Sequence, residues 1–209
     1  MTTGIRIVRG ALAALLAAAS AVGTQPALPA ETAASAGWGF EQLMQSFAQV
    51  QSSTARFVER KHMGILSAPL ESSGTLVYTA PGRLEKHTRA PRPASLVLDG
   101  DRLTLEDKTQ DRRRTFALQD YPVIQAFVEG IRSTLAGDLV TLNRYYQAGL
   151  EGNERGWRLT LKPLEQQMQN FVSEIRISGS HNRINVIEII ESEGDRSVMT
   201  ITAEAPLKQ

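Results

Sequence analysis

Chemistry in this chain would have to come from a few scattered polar residues. The three histidines, His62, His87 and His181, lie far apart in sequence. Glu85 and His87 are two apart, so in a strand they share a face. The turn Asp99-Gly100-Asp101 is placed to bring Asp99 or Asp101 nearer to them. A metal site needs such donors in tight geometry, and the spacing here matches no zinc pattern. Solvated positions on the convex side of a sheet are the better reading, so no metal is expected. There is no Gly-x-Ser-x-Gly elbow and no glycine-rich phosphate loop. A triad is recognised in space rather than in sequence; its mark would be a polar cluster inside the fold. We expect no catalytic residue, no cofactor and no enzyme.

The elements that must position any site follow from composition and pattern. Arg6 and Arg9 precede an apolar run from Gly10 to Val22, and Ala19-Ser20-Ala21 offers a small-x-small cleavage site. That order is a secretory signal peptide over 1–21, too short for a comfortable membrane span. Residues 22–37, rich in Ala, Pro, Thr and Ser, read as a flexible lead-in, and 38–209 as one domain. The chain has no cysteine, so an exported domain must fold on its core without disulfides. Loss of Arg6 and Arg9 leaves 21 basic against 22 acidic residues, a net −1. That balance argues against a nucleic-acid partner. Arg112-Arg113-Arg114 is the only dense basic run, and at the start of a strand it reads as a solvated edge that resists aggregation rather than as an anionic-lipid contact.

Residues 69–106 organise the rest. Thr75–Thr79, Arg83–Thr88, Ser95–Asp99 and Arg102–Glu106 alternate with period two between Gly, Pro and Asp breakers, the pattern of antiparallel strands with one buried face. Before them come a helix over Trp38–Val50 and a strand over Thr54–His62. After them come a strand over Arg112–Leu118 and a helix opened by Tyr121-Pro122 and closed by Gly137-Asp138. Leu139–Gln147 and Gly156–Leu161 read as a hairpin, Pro163–Asn170 as a connector, and Val172–Ser178, Ile184–Ser192 and Ser197–Thr202 as the final strands. The fold class is α+β: an incomplete antiparallel barrel of about ten or eleven strands.

A curved sheet of that size has more concave surface than two helices readily fill, and larger barrels tend to hold cavities. The candidate lining comprises Phe57, Leu76, Tyr78, Leu84, Leu96, Leu98, Leu103, Leu105 and Phe116 from strands. Ile124, Phe127, Val128 and Ile131 come from the mid-chain helix, and Trp157 and Leu159 from the later hairpin. Core packing accounts for most of them singly; the set is what suggests a ligand. Each buried methylene of a guest contributes about 0.8 kcal/mol, so one long acyl chain suffices for micromolar binding after ordering costs of several kcal/mol.

Taken in order, these segments resemble the LolA family of periplasmic lipoprotein carriers. The resemblance rests on Ser-x-x-Ala-x-Phe after the first helix (Ser52 to Phe57), Gly74-Thr75-Leu76, the Pro turn from Ala80 to Leu84, and Leu-x-Leu-Asp-Gly from Leu96 to Gly100. Pro69-Leu70 with Ser73-Gly74 looks like the LolA-related subfamily, whose members often accompany envelope lipid or aryl-polyene synthesis. The resemblance implies helices forming a lid over a hydrophobic cavity that takes acyl chains. The sequence departs from the family pattern at Ala80, where LolA has an arginine that helps hold the lid closed. It departs again at Leu84-Glu85-Lys86, where LolA has Phe-x-Trp, and at Thr104 and Glu106, where LolA has Trp and Tyr.

The expectation is therefore a monomeric periplasmic carrier or chaperone. It shields the acyl chain of a lipoprotein or other envelope lipid, one of polyene type included, and moves it between inner-membrane donor and outer-membrane acceptor proteins. The alternative is a non-carrier sensor or docking subunit of an envelope lipid or pigment biosynthetic complex.

Overall fold

A computed structural model describes residues 38–203. The expected signal peptide and the whole of the lead-in fall outside the described residues. Eleven strands form one antiparallel sheet. Six come first: β1 (Ser52–His62), β2 (Leu70–Thr79), β3 (Arg83–Ala90), β4 (Ala94–Asp99), β5 (Arg102–Asp107) and β6 (Arg112–Ala117). Five close the chain: β7 (Tyr146–Asn153), β8 (Gly156–Pro163), β9 (Val172–Ser180), β10 (Arg183–Glu191) and β11 (Arg196–Ala203). Each group is a meander of neighbouring hairpins, and β1 pairs with β11 to join them. The order is β6-β5-β4-β3-β2-β1-β11-β10-β9-β8-β7. With β6 and β7 at the ends, the sheet stays open, as the alternating pattern implies.

The helices are α1 (Phe40–Ala48), α2 (Pro122–Ala136), α3 (Leu139–Tyr145) and the single turn α4 (Gln166–Gln169). On α1, Leu43, Met44 and Phe47 recur at helical spacing and are all buried. Proline opens α2 at its first turn, where no N–H is missed. Gly137 closes it at φ 68; an added Cβ there would also meet the Met44 carbonyl at 2.2 Å. The same glycine therefore ends α2 and lets it approach α1.

Residues 139–145 correct the sequence reading, which placed a strand there. The Asp138 carboxylate accepts from the Thr141 amide at 2.9 Å and its hydroxyl at 2.6 Å, capping a new helix. Leu142 then turns into the core, and the strand begins only at Tyr146. The apolar alternation that suggested a strand lost to this local cap.

The larger core lies where α1, α2 and α3 meet the second meander. It includes Leu43, Met44, Phe47, Leu142, Tyr146, Trp157, Leu159, Leu161, Ile175 and Ile177. A smaller cluster of Leu98, Leu103 and Leu118 sits under the first meander. Two contacts seat α2 at the larger core. The Tyr146 hydroxyl donates to the Ala126 carbonyl at 2.9 Å, and burial raises its pKa. Gly130 leaves room for that ring, since an added Cβ would stand 2.8 Å from it. On the other side of α2, Arg132 donates to the Gly100 carbonyl at 2.9 Å and pairs with the buried Glu129.

Candidate functional site

Between α2 and the sheet lies a cavity of about 430 Å³. Its aliphatic wall arises from register. In antiparallel pairs, directly opposed residues share a face. Tyr78 opposes Leu84 and Leu84 opposes Leu98, which builds one wall from three hairpin strands. Ile187 opposes Met199 in the second meander. The β1–β11 pairing then sets the two stretches side by side, with Phe57 opposite Ile201. Ile184, Ile187, Ile189, Met199 and Ile201 form the second wall, while Phe127, Val128, Ile131 and Leu135 of α2, with Phe47 and Val50, cover the space.

Polar residues interrupt this surface, Ser53, Thr54, Glu85 and Arg183 among them, and one pair of them is joined across the sheet. Glu59 of β1 and Lys86 of β3 pair at 2.5 Å across the intervening β2. Ser197 donates to the other Glu59 oxygen at 2.7 Å, and Ser72 adds a longer contact at 3.4 Å. Burial raises the Glu59 pKa, but the Lys86 charge and these donors outweigh it, and the carboxyl is held below its ordinary value. The Lys86 ammonium also stands 5.0 Å from the centre of the Phe57 ring. Gly74 lies on β2 opposite Phe57, at a bulge against β3. An added Cβ there would stand 1.9 Å from the His87 carbonyl oxygen. The glycine of the Gly-x-Leu motif thus answers a backbone approach.

Of the residues singled out from sequence, Leu76, Tyr78, Leu84, Leu96, Leu98, Phe127, Val128 and Ile131 come together on the cavity wall. Phe57 is fully buried beneath Lys86. Trp157 and Leu159 belong to the larger core, Trp157 packing edge-on to Phe47 at 5.7 Å and donating to the His181 carbonyl. Leu103 packs in the smaller cluster. Phe116 meets Tyr121 edge-on at 5.5 Å, Leu105 lies further along the sheet, and Ile124 is exposed on α2.

The walls supplied by β10 and β11 were missed. The run from Val186 to Ile190 is apolar on both faces apart from Glu188, so periodicity could not say which side meets a ligand. Ile187 and Ile189 were selectable only once their partners on β9 and β11 were known.

The polar residues assemble differently. His87 Nε2 lies 2.8 Å from Glu85 Oε2, and Arg83 bridges Glu85 to Asp99. Hydrogen bonds from His87 and then Arg83 hold the Glu85 carboxyl below its ordinary range. This is an ion-pair ladder along β3. Among the described residues, no group of three or more His, Asp or Glu side chains is placed to hold a metal.

A family model described as outer membrane lipoprotein carrier protein LolA-like matches residues 32–206. The chain belongs to that LolA-like family. An outer-membrane lipoprotein carrier protein of Pseudomonas fluorescens is 25% identical over 163 residues, covering 77% of this chain and 74% of the relative. That of Pseudomonas entomophila is 24% identical over 160 residues, covering 75% and 72%. Among solved structures, a LolA superfamily protein from Nitrosomonas europaea aligns with a TM-score of 0.43 at 9% identity, covering 79% of this chain and 93% of the other. Among the described residues, no helix is long and apolar enough to cross a membrane.

Proposed function

We propose that this protein is a periplasmic carrier that shelters an acyl chain in the cavity under α2 and moves it toward the outer membrane. The observation that carries the reading is the aliphatic cavity, to which both meanders and α2 contribute. At roughly 30 Å³ per small group, the liquid volume of a water, its 430 Å³ takes on the order of a dozen methylenes. At about 0.8 kcal/mol for each, their burial favours binding by on the order of 10 kcal/mol before ordering costs of several kcal/mol. The leader-like N-terminal sequence and the LolA-like family support the periplasmic setting and a donor and an acceptor at the two membranes.

The test is direct. The protein is purified from its native periplasm and extracted with organic solvent, and the extract is analysed by mass spectrometry. A stoichiometric amphiphile is the expected result and names the cargo class. An empty extract, together with failure of the folded protein to take up an apolar fluorescent probe, sinks the carrier reading in favour of a docking subunit.

A further inference from the structure

The apolar wall of the cavity does not end where the cavity does. Lys86 and Leu96 also line a second, open concavity of about 520 Å³ over β3 to β6. Register arranges this half of the sheet in rows running across the strands. The first row is Leu84, Leu98, Leu103 and Phe116, wholly apolar. The second is Lys86, Leu96, Leu105 and Arg114, and the third is Thr88, Ala94, Asp107 and Arg112. Successive rows are two residues, or roughly 7 Å, apart along the strands. One sheet face therefore grades from hydrocarbon to cation over a distance comparable to that between a lipid's chain and its head.

Charge on this face is uneven. Lys86, Arg112 and Arg114 line the concavity with two carboxylates, Asp107 and Glu106; Glu106 accepts from the Ser95 hydroxyl at 3.0 Å, and Lys86 is paired with Glu59. Asp107 is occupied by the hydroxyl and amide of Thr109, at 2.5 and 2.9 Å, and by the Gln110 amide, so it ties the β5–β6 turn. Arg112 and Arg114 are exposed and form no ion pair among the described residues. Leu105 beside them is 39% exposed, an apolar side chain left uncovered among cations. Arg113 points to the opposite face. The basic run is thus split by the strand period, two of its three guanidinium groups joining the cavity side.

Resting on the carrier reading, the geometry points to a head-group subsite: the cargo is an amphiphile whose chain enters the cavity while an anionic phosphate or carboxylate head lies on Arg112 and Arg114, with Lys86 at the junction. Guanidinium groups present paired donors that match such oxyanions.

The test compares two lysolipids of equal chain length, below their micellar concentrations, as competitors of a neutral apolar fluorescent probe. One is lysophosphatidylglycerol, which is anionic, and the other lysophosphatidylcholine, which is zwitterionic. The anionic lipid is expected to displace the probe at about tenfold lower concentration, as charge-assisted hydrogen bonds imply. The doubly substituted R112Q/R114Q protein should lose that preference while binding the zwitterionic lipid as before; R113Q should keep it. Equal displacement by both lipids in the wild type overturns the subsite and leaves the carrier reading standing, as does a preference that survives R112Q/R114Q. If the probe does not bind at all, the carrier reading itself fails and the subsite falls with it. Calorimetry with glycerol 3-phosphate separates a lipid head from a free phosphate, and binding as tight as that of the lysolipid overturns the assignment of chain plus head.

Discussion

Lys86 reaches over β2 to pair with Glu59 at 2.5 Å on a largely aliphatic cavity wall. The two residues lie on strands that are not neighbours, and Gly74 of the intervening β2 carries no side chain on the stretch they span. Removing the ammonium strands a largely buried carboxylate. Lys86→Met should therefore cost about 1–3 kcal/mol near neutral pH, the penalty for an uncompensated buried group.

The pH dependence of that loss has a definite sign. The folded-state pKa of Glu59 is lowered from its ordinary 4.5. Its contribution to stability is full above that value and declines as pH falls through the folded-state pKa. Urea unfolding of wild type and Lys86→Met should differ more at pH 7 than at pH 3. An equal difference at both values would show that the pair is solvent-screened and does not act through Glu59.

Two glycine substitutions should separate backbone approach from chain entropy. Gly74→Ala sets a Cβ 1.9 Å from the His87 carbonyl oxygen, which forces the β2–β3 bulge apart and should cost about 3 kcal/mol or more. Gly149→Ala meets nothing within 4 Å and should be neutral or stabilising by about 0.5 kcal/mol. Thermal melts by circular dichroism read both, and comparable melting temperatures would refute the contrast.

Arg132 holds α2 to the β4–β5 turn and also neutralises Glu129, which is only 4% exposed. Arg132→Ala should cost about 3 kcal/mol, as breaking a buried pair does. The effect should be local, with hydrogen exchange rising in α2 before the β8–β9 core. Uniform acceleration across the protein would mean that α2 does not open separately.

Filling the cavity should block it without unfolding the protein. Ile187 and Met199 oppose each other on its wall. Met199→Trp places a ring in open space, where overpacking strain is smaller than in a filled core. Uptake of a neutral apolar probe should weaken about tenfold, the loss of roughly two buried methylenes, with little change in melting temperature. Undiminished uptake would place the binding site elsewhere.

Much of this was legible in the chain. Period-two alternation at Leu76 and Tyr78, Leu96 and Leu98, and Leu103 and Leu105 marked three hairpin strands, because in a strand the side-chain period is set by the backbone itself. Pro122 and Gly137 marked the ends of α2 through constraints equally local. Residues 139–145 were misread because the Asp138–Thr141 cap outweighed a similar apolar pattern.

The site was legible only in part. Alternation says which residues share a face, but not which element will cover it. Trp157 and Leu159 alternate as Leu96 and Leu98 do, yet α1 settles on the first pair, Phe47 against Trp157, and the cavity opens over the second. Pairing of β1 with β11 joins segments more than 130 residues apart, as the Ser197–Glu59 bond shows. That closure alone brings Ile187, Ile189 and Met199 to the cavity. It also carried no local signal, because strand pairing at that distance depends on which edges remain free once the two meanders have formed. The sequence by itself determined most of the strands, their faces and the span of α2, but not where β7 begins. The tertiary structure decided which face stays empty, and set the half-buried Glu59–Lys86 ion pair within it.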